Sequence, residues 1–107
     1  DWELLQKQGA IVCIVPGAFN MTTGPAHWEL LFRARAVDNQ LFMVGVSPAR
    51  DLDFSYHAYG HSLVADPWGS VLAQLGFEED IAIVSLDLER VASIRRQLPI
   101  LTPPVSE

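Results

Sequence analysis

Half of the 107 residues are hydrophobic, and 13 acidic against 7 basic residues give a formal net charge of -6. With a mean hydropathy of +0.20, such a composition predicts a chain that buries a core rather than a disordered one. The acidic balance argues against a nucleic-acid surface, because phosphate binding needs clustered Lys and Arg. The apolar runs are all far shorter than the roughly 20 residues that span a membrane, so no membrane partner is expected.

The first residues of the chain and its cysteine content indicate whether it is a fragment and which cellular compartment it occupies. It opens on Asp1 rather than Met and lacks a signal-peptide pattern, so we expect a fragment of a longer protein. Its length suits one small domain or a piece of a larger one. The single cysteine, Cys13, cannot form an internal disulfide, which favours a reducing compartment and therefore a cytoplasmic location.

The first two predicted elements are a helix end and a strand. Residues 2–8 are typical of a final helical turn, and Gly9 stands where helices commonly stop in the left-handed conformation. Residues 10–15 form a continuous apolar, β-branched run. Such a run predicts a strand buried on both faces.

A second helix and strand follow a polar loop. Residues 18–24 predict a loop at the strand's carboxyl end, with Thr23 or Gly24 capping the next helix and Pro25 in its first turn. The helix should end at Asn39, and residues 41–46 predict a second buried strand. This alternation indicates an α/β layered arrangement.

The second half of the chain predicts a hairpin, a strand and a short helix. Residues 62–65 and 71–75 predict paired strands, joined by a turn at Asp66-Pro67-Trp68-Gly69 whose residue types favour type I. Residues 81–86 predict a further strand. Asp87 can then cap a helix that runs through Gln97 and stops at Pro99, and residues 102–107 predict an extended, solvated tail.

Three sequence blocks carry a resemblance to a known family, and they occur in that family's order. Residues 15–29 read Val-Pro-Gly-Ala-Phe-Asn-Met-Thr-Thr-Gly-Pro-Ala-His-Trp-Glu, and residues 33–40 read Arg-Ala-Arg-Ala-Val-Asp-Asn-Gln. Residues 60–73 read Gly-His-Ser-Leu-Val-Ala-Asp-Pro-Trp-Gly-Ser-Val-Leu-Ala. Together they resemble the C-terminal part of the nitrilase superfamily of carbon-nitrogen hydrolases, in its omega-amidase branch.

The resemblance implies a fold and an assembly. Residues 1–99 would form the C-terminal part of a nitrilase-like α-β-β-α sandwich, an α/β fold whose members pair into eight-layered dimers, so a homodimer is expected for the full-length protein. Residues 100–107 depart from the family's basic Arg-Arg-x-Asp-Leu-Tyr ending and are expected to form a divergent extended tail.

The same resemblance implies an activity without a cofactor. Family members use a Glu-Lys-Cys triad and a thioester, and the omega-amidase branch hydrolyses 2-oxoglutaramate and 2-oxosuccinamate to ammonia and a 2-oxo dicarboxylate. All three triad residues would lie before Asp1, so the chain alone is expected to be inactive. The alternative is a non-catalytic truncated product or interaction module. A free-standing small binding domain would instead have to melt cooperatively as a monomer.

Four residues are candidates for contact with substrate or for chemistry. Cys13 lies inside an apolar run, where a cysteine behaves as a buried hydrophobe rather than a nucleophile. Ligands of open α/β sheets bind at the carboxyl ends of strands, which favours the loop after residue 15. By the resemblance, Phe19 would wall the pocket, and Thr22 or Thr23 would hydrogen-bond the substrate. The threonines could also serve only as helix caps.

Two groups of polar residues have open interpretations. His27 could make a local hydrogen bond or take part in chemistry, while its neighbour Trp28 is expected in the core. A further group is expected to form a buried polar network that holds the loop, although it could also be a solvated helix face. Its members are Arg33, Arg35, Asp38 and Asn39.

Other combinations of residues argue weakly for a site. His57 and His61 are four residues apart but lie in a loop-like stretch without companion ligands, so no metal is expected. Asp53, His57 and Ser62 have the residue types of a hydrolase triad. However, residues 60–64 around Ser62 lack the second glycine of a nucleophile elbow. The acidic residues 78–80 predict a solvated hairpin tip.

Overall fold

The structure, a computed structural model, describes residues 2–101. Its helices are α1 (Trp2–Lys7), α2 (Glu29–Asn39) and α3 (Glu89–Gln97), and a π-helical turn (Gly24–Trp28) leads directly into α2. Its strands are β1 (Val12–Pro16), β2 (Phe42–Val46), β3 (Leu63–Ala65) and β4 (Val71–Gln74).

The four strands form one sheet in the order β1-β2-β3-β4. β1 and β2 are parallel, with Cys13 opposite Met43, while β3 runs antiparallel to β2 and β4 antiparallel to β3. The predicted order of helix, strand, helix, strand and hairpin is therefore confirmed through β4. A parallel pair needs a long crossover between its strands, and α2 supplies it.

The end of α1 follows the predicted glycine stop. Gly9 has φ 97°, a conformation that glycine adopts without a steric penalty. The amide of Ala10 donates to the carbonyl of Leu5, and the amide of Gly9 donates to that of Gln6, both at 3.0 Å. These two bonds form a Schellman motif, which directs the chain from α1 into β1.

The core lies between α2 and one face of the sheet. Trp28 and Phe32 pack there against Cys13, Met43 and neighbouring buried residues. Trp28 is 1% exposed, as expected from the sequence. Gly45 leaves room for this packing, because a Cβ atom at position 45 would lie 2.7 Å from the ring of Phe32.

The prediction that β1 is buried on both faces is wrong for the described structure. Ile14 is 65% exposed, and Val46 at the end of β2 is 45% exposed. Side chains alternate between the two faces of a strand, and α2 covers only the face that carries Cys13 and Met43. On the opposite face, Phe42 at the start of β2 is 1% exposed, so this face is covered at one end and open around Ile14 and Val46.

The predicted hairpin is confirmed. The amide of Gly69 donates to the carbonyl of Asp66, and the amide of Asp66 donates to that of Ser70, both at 2.9 Å. The Asp66 Oδ1 atom accepts two further bonds, from the amides of Trp68 and Ser70. Asp66 is 3% exposed, so its carboxylate organises the turn from inside.

The strand predicted at residues 81–86 is not formed. Ile81 and Ile83 are 84% and 96% exposed, and the described sheet ends at β4. An alternating apolar pattern becomes a strand only when a neighbouring edge accepts its hydrogen bonds, and no described strand pairs with this segment.

The last described element is α3, which is followed by the beginning of the tail. The predicted cap of α3 by Asp87 is wrong in position, because Leu88 is the N-cap residue and has no side-chain cap. Asp87 lies one residue earlier, where its Oδ1 accepts the amide of Glu89 at 3.1 Å. Ile100 is exposed, and the tail predicted at residues 102–107 lies outside the described residues.

Candidate functional site

The candidate site lies at one edge of the sheet, where the two parallel strands end. The loop of residues 17–24 follows the carboxyl end of β1, and the connection of residues 47–62 follows the carboxyl end of β2. Because parallel strands end at the same edge, both segments meet there, at the position where open α/β sheets bind ligands.

Phe19 is half-buried in the first of these loops. Its ring meets Trp28 edge-on at a centroid distance of 5.0 Å, and Trp28 meets Phe32 in the same way at 4.7 Å. Phe19 also lines a cavity of about 250 Å³ together with Val15 and Leu31. The ring is therefore held at the boundary between the core and an apolar cavity, as a pocket wall would be.

Asn20 organises the rest of the loop. Its Oδ1 atom accepts hydrogen bonds from the amides of Thr22 and Thr23, at 2.9 and 2.7 Å, and from the Thr23 hydroxyl at 3.0 Å. Neither threonine caps the following helix through its side chain. The side chain of Thr22 lies in an exposed position, and the contact of Thr22 or Thr23 with a substrate stays a prediction.

Trp28 ties the loop region to the second connection. Its indole Nε1 donates to the carbonyl of His61 at 2.7 Å. His61 has a φ of 62°, uncommon for a residue with a side chain, and its Nδ1 lies 2.8 Å from the carbonyl of Tyr59. His27, next to Trp28, is exposed, and a chemical role for it stays a prediction.

Ser62 and Asp53, two residues of the hypothetical hydrolase triad, make hydrogen bonds with nearby segments instead of forming a catalytic site. The hydroxyl of Ser62 is engaged with the backbone of Ser47, whose amide donates to it at 2.9 Å and whose carbonyl accepts from it at 3.2 Å. Asp53 donates its amide to the carboxylate of Asp51, in a local turn. No described group of three His, Cys, Asp or Glu side chains between residues 2 and 101 could hold a metal ion.

The polar residues of α2 do not form the predicted network. Arg33 donates to the carbonyl of Gly69 at 2.7 Å, while Arg35 pairs with Asp38 at 3.5 Å across half-exposed positions. Asn39 donates to the carbonyl of Arg35 within the helix. The prediction fails because residues 33 and 35 point to different sides of the helix, so each arginine meets a separate partner.

Cys13 has the structural character that the sequence predicts. It is 7% exposed on the covered face of β1, and burial raises the pKa of its thiol above the ordinary value. A buried neutral thiol is a poor nucleophile, because the thiolate is the reactive form.

A second cavity of about 270 Å³ lies near the end of β2, lined by Val46, Gly60 and the acidic residues 78–80 among others. These acidic residues are exposed, as predicted, but they do not form a hairpin tip, because no strand follows them. A larger cavity of about 430 Å³, between α1 and the end of α2, is lined by Trp2 and Asn39 among others. It lies towards the amino ends of the strands, the wrong edge for a ligand of this fold.

Comparison with known proteins identifies the family. Residues 2–96 match the profile of the carbon-nitrogen hydrolase family. The chain belongs to this family. This carbon-nitrogen hydrolase chain is 56% identical over 99 residues to the curated relative named omega-amidase NIT2 from Mus musculus. The match covers 92% of this chain and 36% of the length of that relative.

Solved structures agree with this family and its fold. Nit3 from Saccharomyces cerevisiae, a member of branch 10 of the nitrilase superfamily, is 48% identical, with a TM-score of 0.90 over 94% of this chain and 37% of that one. The C. elegans NitFhit protein is 38% identical, with a TM-score of 0.87 over 92% of this chain and 24% of that one. The α/β fold of the nitrilase superfamily is thereby confirmed. None of the described helices is long and apolar enough to cross a membrane.

Sequence reasoning missed three residues of this region. The composition of residues 18–24 predicts only a polar loop, although an Asn two and three residues before two threonines is a signal for a side-chain-stabilised turn. No local pattern indicates Arg50 or Tyr59, because the bonds from the Arg50 amide to Phe77 and from the Tyr59 amide to Phe19 join segments that are distant in the sequence. Only the packing of the two connections brings them to the Phe19 loop.

Proposed function

We propose that this chain is the C-terminal part of an omega-amidase, which hydrolyses the side-chain amide of 2-oxoglutaramate or 2-oxosuccinamate and releases ammonia. The 56% identity to a protein named omega-amidase, over 92% of this chain, carries the proposal. The products are a 2-oxo dicarboxylate and ammonia, and the reaction passes through a cysteine thioester without a cofactor. The full-length protein is proposed to be a cytoplasmic homodimer.

The catalytic Glu, Lys and Cys are proposed to come from sequence outside these 107 residues. Cys13 is the single cysteine of the chain, and it is buried in β1 with a raised thiol pKa. A thioester mechanism needs an accessible sulfur with thiolate character. Cys13 meets neither requirement, so this chain alone is proposed to be inactive.

The contribution of this chain is proposed to be one wall of the substrate pocket. Phe19 would supply the apolar surface, and Thr22 or Thr23 would hydrogen-bond the oxygen atoms of the substrate. The position of their loop at the carboxyl end of β1 supports this assignment. The orientation of the Phe19 ring against Trp28 supports it as well.

The test compares the full-length protein with the isolated 107-residue chain in an assay of ammonia release from 2-oxoglutaramate. We expect activity from the full-length protein, its loss on treatment with a thiol reagent, and no activity from the chain alone. A Cys13→Ala variant of the full-length protein is the matched control, and it should retain activity. A full-length protein that releases no ammonia from either 2-oxo acid amide contradicts the proposed function.

A further inference from the structure

The connection of residues 47–62, here called the strap, crosses over the loop that carries Phe19. Two consecutive carbonyl groups of that loop accept hydrogen bonds from it. The Tyr56 hydroxyl donates to the carbonyl of Ala18 at 2.9 Å, and the amide of Tyr59 donates to the carbonyl of Phe19 at 2.7 Å. The strap therefore holds the two peptide groups that flank Phe19, one on each side of this residue.

Tyr59 also packs against the far end of the same loop. Its ring lies directly on Gly24, and a Cβ atom at position 24 would overlap the Tyr59 ring carbons. The Tyr59 ring also stacks on His61 at a centroid distance of 4.0 Å with an interplanar angle of 20°. Tyr59 thus contacts both Gly24 and His61, and its amide is directed at Phe19.

Arg50 holds this part of the strap in place. Its Nε donates to the carbonyl of Ala58 at 3.1 Å, and its Nη2 donates to the carbonyl of Tyr59 at 3.0 Å. These carbonyls belong to the peptide groups on either side of Tyr59, and the first of them contains the amide that binds Phe19. A guanidinium group can hold two acceptors in a fixed geometry, which an ammonium group cannot do.

Arg50 is itself fixed from a third segment. Its guanidinium carbon lies 4.3 Å from the ring centre of Phe77, and its amide donates to the Phe77 carbonyl at 2.8 Å. The charge is therefore stabilised over an aromatic face as well as by two carbonyl dipoles. The contacts form a continuous path from Phe77 through Arg50 and Tyr59 to Phe19.

We propose that Arg50 is a positioning residue of the substrate pocket, which acts through Tyr59 to fix the place of Phe19. The inference rests on the proposed function in that Phe19 is the apolar wall of the site. Arg50 donates to the backbone of its own strap, so its effect on substrate is indirect. A displaced wall weakens substrate binding, whereas the reacting atoms and the catalytic triad keep their geometry.

The test uses Arg50→Met and Arg50→Lys variants of the full-length protein, with steady-state kinetics on 2-oxoglutaramate. We expect Arg50→Met to raise KM about tenfold with kcat within about twofold, since tenfold corresponds to roughly one charge-assisted hydrogen bond. Arg50→Lys should give an intermediate KM, because it keeps the charge over Phe77 but loses the paired donors. Arg90→Met, on α3, is the matched control and should leave both constants unchanged.

A crystal structure of the full-length Arg50→Met variant provides a readout that does not depend on activity. We expect the bond between the Tyr59 amide and the Phe19 carbonyl to lengthen and the Phe19 ring to shift from Trp28, while the sheet is unchanged. An unmoved Phe19 overturns the inference. So does a KM that does not change, or a fall in kcat as large as the rise in KM. If the wild-type protein does not hydrolyse the amide, the proposed function fails, and the position of Phe19 in the variant still decides the role of Arg50.

Discussion

At the scale of single residues, burial decides the chemistry of Cys13. The residue alternates with Val12 and Ile14 along β1, and this alternation turns its side chain towards Trp28 and Met43 in the core. Desolvation disfavours the charged thiolate, so the pKa of the Cys13 thiol is raised from its ordinary value of 9.0. The family's nucleophile needs the opposite environment.

Thiol labelling checks this assignment in the full-length protein. We expect the peptide that contains Cys13 to remain unmodified by iodoacetamide at pH 8 in the native protein and to be labelled after denaturation, as measured by mass spectrometry. The unfolded thiol ionises near 9.0 while the folded thiol stays protonated to higher pH. The contribution of Cys13 to stability is therefore present below pH 9.0 and is lost as the pH rises from there towards the folded pKa. Rapid labelling of native Cys13 at pH 8 contradicts the assignment.

At the scale of elements, the β3–β4 hairpin depends on one buried carboxylate. Asp66 Oδ1 binds the amides of Trp68 and Ser70, both at 2.9 Å. Its Oδ2 lies 3.4 Å from Arg90 Nε, and the arginine side chain is 46% exposed. Because solvent screens a half-exposed pair, the two amide bonds should contribute more to stability than the link to α3.

Substitutions at both ends of the pair separate these contributions. We expect Asp66→Ala to lower the free energy of unfolding by about 2 to 3 kcal/mol, since it leaves the amides of Trp68 and Ser70 without their acceptor. Asp66→Asn keeps one acceptor oxygen and should cost less, and Arg90→Met should cost under about 1 kcal/mol. Denaturant unfolding of the full-length protein measures all three. Equal losses for Asp66→Ala and Arg90→Met would mean that the ion pair, rather than the turn, carries the stability.

At the scale of the whole molecule, the described residues leave part of one face of the sheet uncovered. Ile14 is 65% exposed on that face, and Ile83 is 96% exposed in the unpaired segment of residues 81–86. Exposed apolar surface of this kind marks an interface or an aggregation hazard. The chain spans 36% of the length of its mouse relative, and in the proposed omega-amidase the additional sequence would cover this surface.

If further sequence covers this surface, one double variant should have opposite effects in the isolated chain and in the full-length protein. Ile14→Lys with Ile83→Lys should make the isolated chain more soluble and reduce its binding of a hydrophobic dye, but should lower the melting temperature of the full-length protein. Leu52→Lys is the matched control, because Leu52 is 70% exposed in the strap, and it should change little in either context. A wild-type isolated chain that melts cooperatively as a monodisperse monomer without binding dye contradicts the prediction.

The sequence by itself determined the local elements and the family. Glycine at position 9 and the turn residues 66–69 act through neighbouring backbone, so their effects could be predicted from residue type and spacing. The three motif blocks, which led to the family, are likewise contiguous segments. The buried character of Cys13 followed from its apolar run.

Only the tertiary structure decided what depends on contacts between distant segments. One-sided burial of β1, the unpaired state of residues 81–86 and the separate partners of Arg33 and Arg35 each depend on which element lies opposite. The same holds for the path from Phe77 through Arg50 to Phe19, because its two ends are hydrogen bonds between distant segments, from the Arg50 amide to Phe77 and from the Tyr59 amide to Phe19. Local periodicity describes which side chains share a face, but the neighbour that covers that face is chosen by the fold.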